Sequence, residues 1–230
     1  MLHFEHELAE LKDMLLTMAS YAENAVRRAV DALMTRDERL AQNVKLSDDV
    51  IDRYEVEVDE TAIQLLAKAP LASNLRLIAV AMKISQNLER VGDEAAKIAK
   101  RVHDLIQEPP LKQVEAIPHL ADLALELLKS GLDAFVSQDS VAARALIPRD
   151  KEIDALNRQI YRELANGMMT NRETITRALN LIVVSKSLER IADHAKNIAE
   201  EVVYLCEAQD IRHTGKTGAA STQAEPAQGG

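Results

Sequence analysis

Apolar residues recur in alternating steps of four and three along two stretches of this chain. The first runs through Leu77, Ala81, Ile84, Leu88, Val91, Ala95, Ile98, Val102 and Leu105. The second runs through Leu181, Val184, Leu188, Ile191, Ala195, Ile198, Val202 and Leu205. Sustained over about four heptads, that pattern predicts a long helix packed lengthwise in a bundle. A shorter apolar series precedes each: Ile51, Tyr54, Val58, Ala62 and Leu65, then Ile153, Leu156, Ile160 and Leu164. Helices near 4–35 and 118–137 complete two triplets. Ser73 is the expected N-cap of the first long helix, and Thr170 with Glu173 forms a capping-box pattern before the second. No stretch alternates with a period of two. The prediction is an all-α protein built as two tandem three-helix bundles.

The two triplets are copies of one unit. Ser85-Gln-Asn-Leu-Glu-Arg-Val-Gly-Asp93 returns 100 residues later as Ser185-Lys-Ser-Leu-Glu-Arg-Ile-Ala-Asp193. Upstream the offset becomes 102, so that Asp48-Asp-Val-Ile-Asp52 falls on Asp150-Lys-Glu-Ile-Asp154. A duplicated helical unit accounts for such parallel segments, and a two-residue slip is what a changed loop leaves behind. The predicted units span 1–107 and 112–208. Between them Glu108-Pro109-Pro110 cannot continue a helix. From Thr214 the apolar period vanishes, and 214–230 reads as a disordered polar tail.

Composition narrows the class. Aromatic residues make up 3% of the chain and Trp is absent, so the core is aliphatic. A net charge of −9 argues against a nucleic-acid surface, which needs clustered Lys and Arg. No apolar run approaches the roughly 18 residues that span a bilayer. The opening Met-Leu-His-Phe-Glu-His-Glu is acidic where a secretory signal is basic and then apolar. Cys206 is the single cysteine, which excludes an internal disulfide and suits a reducing compartment. A soluble cytoplasmic protein is expected.

Acidic pairs four residues apart are the candidate chemistry. They are Asp48/Asp52 and Glu89/Asp93 in the first unit, Asp150/Asp154 and Glu189/Asp193 in the second. On a helix this spacing stacks like charges one turn apart, at a cost that a cation relieves. If the second and third helices of a unit are neighbours, each unit gathers at least four carboxylates. All-oxygen ligation favours Mg, Ca or Mn, with iron or zinc where a nitrogen joins. His194 and Asn197 follow Asp193 and stand as such donors; Glu94 and Lys97 occupy the matching places in the first unit. A tighter cation site is therefore expected in the second unit. The competing reading is plain: in the heptad frame these carboxylates point away from the apolar seam, where charged residues are simply solvated, and Arg90 and Arg190 can neutralise them.

Catalysis finds little support. A dinuclear four-helix oxidase needs inward Glu and Glu-x-x-His, and the sequence contains no Glu-x-x-His. There is no Gly-rich phosphate loop. Cys206 carries no nucleophile motif and is expected as a small packed residue. The chain is read as a non-enzyme.

The doubled Leu-Glu-Arg-[Ile/Val]-x-Asp phrase, Ala72-Ser-Asn-Leu-Arg-Leu77, and Gln209-Asp-Ile-Arg-His-Thr-Gly215 together resemble the PhoU family of phosphate-transport accessory proteins. The resemblance covers about residues 5–215. It implies two three-helix bundles side by side and a cytoplasmic negative regulator of the phosphate-starvation response. The implied partners are the ATP-binding subunit of the phosphate ABC transporter and a sensor histidine kinase. A homodimer is also implied, together with an association with the membrane through those partners only. It further implies multinuclear metal binding (Mg, Mn, Fe or Zn) through Glu89, Asp93, Glu189 and Asp193, with Asp48, Asp52, Asp150 and Asp154 as the facing set. The alternative is a metal-binding structural helical protein with another partner.

Overall fold

The computed structural model describes residues 2–212, so the expected tail at 214–230 lies outside the described residues. The described chain is helical throughout: α1 (Leu2–Thr35), α2 (Glu38–Leu66), α3 (Ala72–Leu105), α4 (Ile117–Ser137), α5 (Ser140–Leu146), α6 (Asp150–Thr170) and α7 (Ile175–Glu207). Short 3-10 turns at Lys112–Ala116, Ile147–Arg149 and Arg172–Thr174 join some of them.

Helix ends follow from local chemistry. Arg36 and Gln138, at equivalent places in the two units, take the left-handed conformation with φ of 59° and 51°. Each is followed by an aspartate that caps the next helix. Asp37 accepts from the backbone N–H of Arg39 and Leu40 at 2.9 and 3.1 Å, and Asp139 from Val141 and Ala142, both at 2.9 Å. Such caps satisfy amide donors that no carbonyl of the helix can reach.

The two tandem bundles are as expected, but the middle helix of the second unit is broken in two. At the offset of 102, α5 and α6 together occupy the span that α2 fills unbroken. Pro148 stands where the first unit has Leu46, and a proline inside a helix removes an amide donor and clashes with the preceding turn. The helix breaks at Ile147–Arg149. Two expected caps also fall elsewhere. Leu71, without a side-chain bond, precedes α3, and Ser73 lies inside it. Thr170 closes α6, its hydroxyl bonding Asn166 and Gly167 carbonyls, while Asn171 caps the following turn by accepting from Glu173 N–H. Cys206 is exposed rather than packed, with its thiol 3.2 Å from the Gln138 carbonyl.

Every residue of the two predicted seams is buried. The first seam packs where α3 meets α1 and α2, in one core with Leu11, Leu15, Met18, Ile51, Val58 and Leu65; the second packs where α7 meets α4, α5 and α6, in the same core with Leu120, Leu128, Phe135, Ile153 and Ile160. The two units then join through α3 and α7, the most extensive helix pairing in the fold, while α1 also touches α4. Cross-contacts set the direction of that pairing: Lys83 with Glu201, Asn87 with His194, Glu94 with Arg190. As numbers rise along α3 they fall along α7, so the helices are antiparallel. Exchanging each residue for its equivalent 100 positions away turns the Asn87–His194 contact into Glu94–Ser187, also a hydrogen bond, and Glu94–Arg190 into the approach of Arg90 to His194, which defines a local twofold relation passing near Val91 and Ile191.

The interunit link is held from both sides. Arg36 donates to the carbonyls of Ile106 and Glu108 at 2.6 and 2.9 Å, and Arg177 donates to that of Pro109 at 2.7 Å. Beneath lies an apolar cavity of about 110 Å³ lined by Leu33, Leu105, Leu111, Val114 and Leu181 among others.

Candidate metal centre

The neighbouring helices bring the predicted carboxylates together as two sets, one in each unit. In the first, α2 supplies Asp48, Asp52 and Glu55 and α3 supplies Glu89 and Asp93. Burial pushes the Asp48 carboxyl up to about 6, and the charges of Asp52, Asp93 and Asp49 add to it against Lys97. Glu89 is raised for the same reasons, burial first and then Asp93. Glu55 is raised by burial and by Asp59 and Asp52. Gly92 permits this closeness: a Cβ there would lie 2.8 Å from Ile51 Cδ1 and 3.1 Å from Asp48 Oδ1. Arg90 is the local counter-ion, with Nε 3.2 Å from Glu89 Oε2 and Nη1 3.4 Å from Asp93 Oδ2.

In the second unit α6 carries Asp150 and Asp154, and α7 carries Glu189 and Asp193. Burial raises Asp193 to about 6, with Glu189, Asp150 and Asp154 adding to it against Lys196. Here the counter-ions are lysines. Lys196 Nζ lies 2.9 Å from Asp150 Oδ2, and Lys186 Nζ lies 2.6 Å from Glu189 Oε1. Arg158 stands 3.8 Å from Asp154. Asp150 is 6% exposed, and its Oδ1 is buried without a hydrogen-bond partner.

The carboxylates are thus less solvated than the heptad frame suggests. The Glu89 and Glu189 side chains are only 18% and 12% exposed, because α2 and α6 roof them. His194 and Asn197 are not donors to the second set. They lie in the seam between α3 and α7, where His194 Nδ1 is 3.0 Å and Asn197 Nδ2 3.3 Å from Asn87 Oδ1. Lys97 likewise turns to Glu94 at 2.9 Å, although its charge still reaches Asp48. The residues on which a tighter second site was expected all sit in this seam. Lys186 and Lys196 are not among the expected site residues, although three residues from Glu189 and from Asp193 is a helical pairing distance.

In chemistry, both sets fit a hard cation: oxygen donors only, destabilised by one another, with one buried oxygen unpartnered at Asp150. In geometry they are not a finished cage. Among the described residues no three Asp, Glu, His or Cys side chains converge closely enough to hold one ion. To hold an ion, either set would need new side-chain rotamers and departure of its arginine or lysine counter-ions.

Fold and site together define a class: a duplicated all-α bundle with one acidic helix pair per unit. The PhoU domain matches the chain twice, at residues 15–102 and 117–202. The chain belongs to the PhoU family. A Pseudomonas aeruginosa protein named phosphate-specific transport system accessory protein PhoU homolog is 41% identical over 217 residues, 93% of this chain and 89% of that one. An Aquifex aeolicus protein of the same name is 37% identical over 208 residues, 90% and 94% of the two chains. The fold matches the crystal structure of PhoU from Pseudomonas aeruginosa with a TM-score of 0.86 at 38% identity, over 90% of this chain and 100% of that one. It matches the phosphate transport system regulatory protein PhoU from Streptococcus pneumoniae with a TM-score of 0.85 at 29% identity, over 90% and 99%. No described helix is long and apolar enough to cross a membrane.

Proposed function

We propose that this protein is a cytoplasmic accessory regulator of phosphate transport and a negative regulator of the phosphate-starvation response. It acts by contact rather than catalysis, linking the ATP-binding subunit of a phosphate ABC transporter to a sensor histidine kinase. It reaches the membrane only through those partners. The observation that carries this reading is the double domain match across nearly the whole chain, joined to relatives named for the phosphate-specific transport system. Deleting the protein is expected to leave starvation genes active in phosphate-rich medium. Normal repression in the deletion strain defeats the reading.

Cation binding belongs to the same proposal. Asp48, Asp52, Glu89 and Asp93 hold one ion or cluster, and Asp150, Asp154, Glu189 and Asp193 another. A bound cation neutralises carboxylates that now repel one another and stiffens α2 on α3 or α6 on α7. The two acidic sets by themselves favour a second reading, a metal-binding structural protein with a different partner. Proteins captured from cells at high and low phosphate separate the two: transporter and kinase subunits support the first. Self-association into a homodimer completes the proposal, and light scattering that finds only a 25.5 kDa species at micromolar concentration excludes it.

A further inference from the structure

Arg90 and Arg190 occupy the same place in the duplicated phrase yet have different partners. Arg90 folds back onto its own unit's Glu89 and Asp93. Arg190 instead crosses the seam between units, with Nη1 3.4 Å from Glu94 Oε1. The cause lies at another pair of equivalent positions. Glu94, 4% exposed, is an anion at the floor of the seam. Its counterpart is His194, an imidazole whose Nδ1 lies 3.0 Å from Asn87 Oδ1 and which offers no carboxylate to an arginine. Glu94 Oε1 accepts from Lys97 Nζ at 2.9 Å as well as from Arg190 Nη1 at 3.4 Å, so two cations converge on one carboxylate. On the other side no anion waits for Arg90, and it settles on the nearest carboxylates, those of its own acidic pair.

The geometry points to Glu94 as a positioning residue that controls cation binding in the opposite unit: by drawing Arg190 across the seam, it keeps the guanidinium off Glu189 and Asp193 and leaves Lys186 and Lys196 as their counter-ions. The first unit has no such relief, and an incoming cation there must displace Arg90. This inference rests on the reading of the acidic pairs as cation sites. A unit charge a few ångströms from a site, at the effective dielectric of a protein surface and after screening, is worth roughly tenfold in cation affinity.

The experiment uses the full chain with Mn²⁺ as the only probe, read by calorimetry and by electron paramagnetic resonance. A background of Glu89→Gln with Asp93→Asn silences the first set, so that binding reports the second. In it, Glu94→Gln is expected to weaken Mn²⁺ binding roughly tenfold. Arg190→Gln alone is expected to change little, but combined with Glu94→Gln it restores the original affinity, because the arginine that would fall back is gone. Conversely, with Glu189→Gln and Asp193→Asn silencing the second set, His194→Glu is expected to pull Arg90 away and tighten the first about tenfold. A crystal structure of cation-free Glu94→Gln checks the same point without metal, with Arg190 expected on Glu189 and Asp193. Failure of Arg190→Gln to restore affinity overturns the inference, as does an Arg190 that stays in the seam of the Glu94→Gln crystal. If the unaltered chain takes up no Mn²⁺, the cation reading falls with any effect of Glu94 on affinity, and the crystal alone then reports whether Glu94 positions Arg190.

Discussion

Lys196 places its ammonium nitrogen 2.9 Å from Oδ2 of Asp150, a buried carboxylate whose other oxygen has no protein partner. The ammonium satisfies half of that carboxylate and leaves the rest of the acidic set repelling.

Replacing Lys196 with Met therefore has two opposed effects. Without cation the protein is expected to lose about 1–3 kcal/mol, the cost of leaving a buried charge unpaired. With saturating Mn²⁺ the loss shrinks, since the ion supplies the missing charge. Thermal melts with and without Mn²⁺ check this, and a destabilisation unaffected by the ion argues against the assignment.

Asp48 and Asp193 set the response to pH. Both carboxyls have an ordinary value of 3.8 and are pushed up to about 6. A raised carboxyl binds its proton more readily when folded, so its contribution to stability is full below about 4. It is lost as pH rises to about 6. Asp48→Asn and Asp193→Asn are each expected to stabilise the cation-free protein at pH 7 by about 1 kcal/mol, after allowing for solvent screening. The same changes flatten the stability profile between about pH 4 and 6. Urea denaturation across that range measures both effects. Cation affinity moves the other way and falls as the carboxyls take up protons below pH 6.

The clasped link gives a third expectation. Arg36→Ala together with Arg177→Ala removes the side-chain donors that hold the carbonyls of Ile106, Glu108 and Pro109. Proteolytic nicking between 106 and 111 is expected to quicken several-fold while both bundles stay helical by circular dichroism. Unchanged cleavage means that the prolines alone keep the link closed.

Leu188 is fully buried in the seam of α7. Leu188→Ala is expected to cost about 2–5 kcal/mol in urea melts, the range for a cavity in an aliphatic core. A loss below about 1 kcal/mol would show that the surrounding helices collapse onto the vacated space.

The heptad periodicity alone makes the long helices and their buried faces legible, because a seam of Ala, Leu, Ile and Val has no other way to leave water. The pairing of Asp48 and Asp52 with Glu89 and Asp93 is legible for a related reason: antiparallel neighbours with matched seams bring equivalent turns together. Pro148 is a readable helix breaker, masked because its segment otherwise copies α2. The destinations of His194, Asn197 and Lys97 are not legible. Each lies within four residues of a carboxylate on its own helix, and only the rotation of α3 against α7 turns it toward the other unit or the seam instead. The split between Arg90 and Arg190 is hidden likewise, since it depends on Glu94 across that seam.

The local twofold between α3 and α7 has a consequence for the chain. Two separate copies of a single unit, meeting through the same helix face, form an isologous dimer with this arrangement. In such a dimer every position is present twice, and a glutamate facing the seam from one side necessarily faces it from the other. Joining both copies in one chain through the Pro109-Pro110 link removes that constraint. Position 94 can carry an acid while its mate at 194 carries an imidazole, and two equivalent acidic pairs can stand beside a seam that differs from one side to the other.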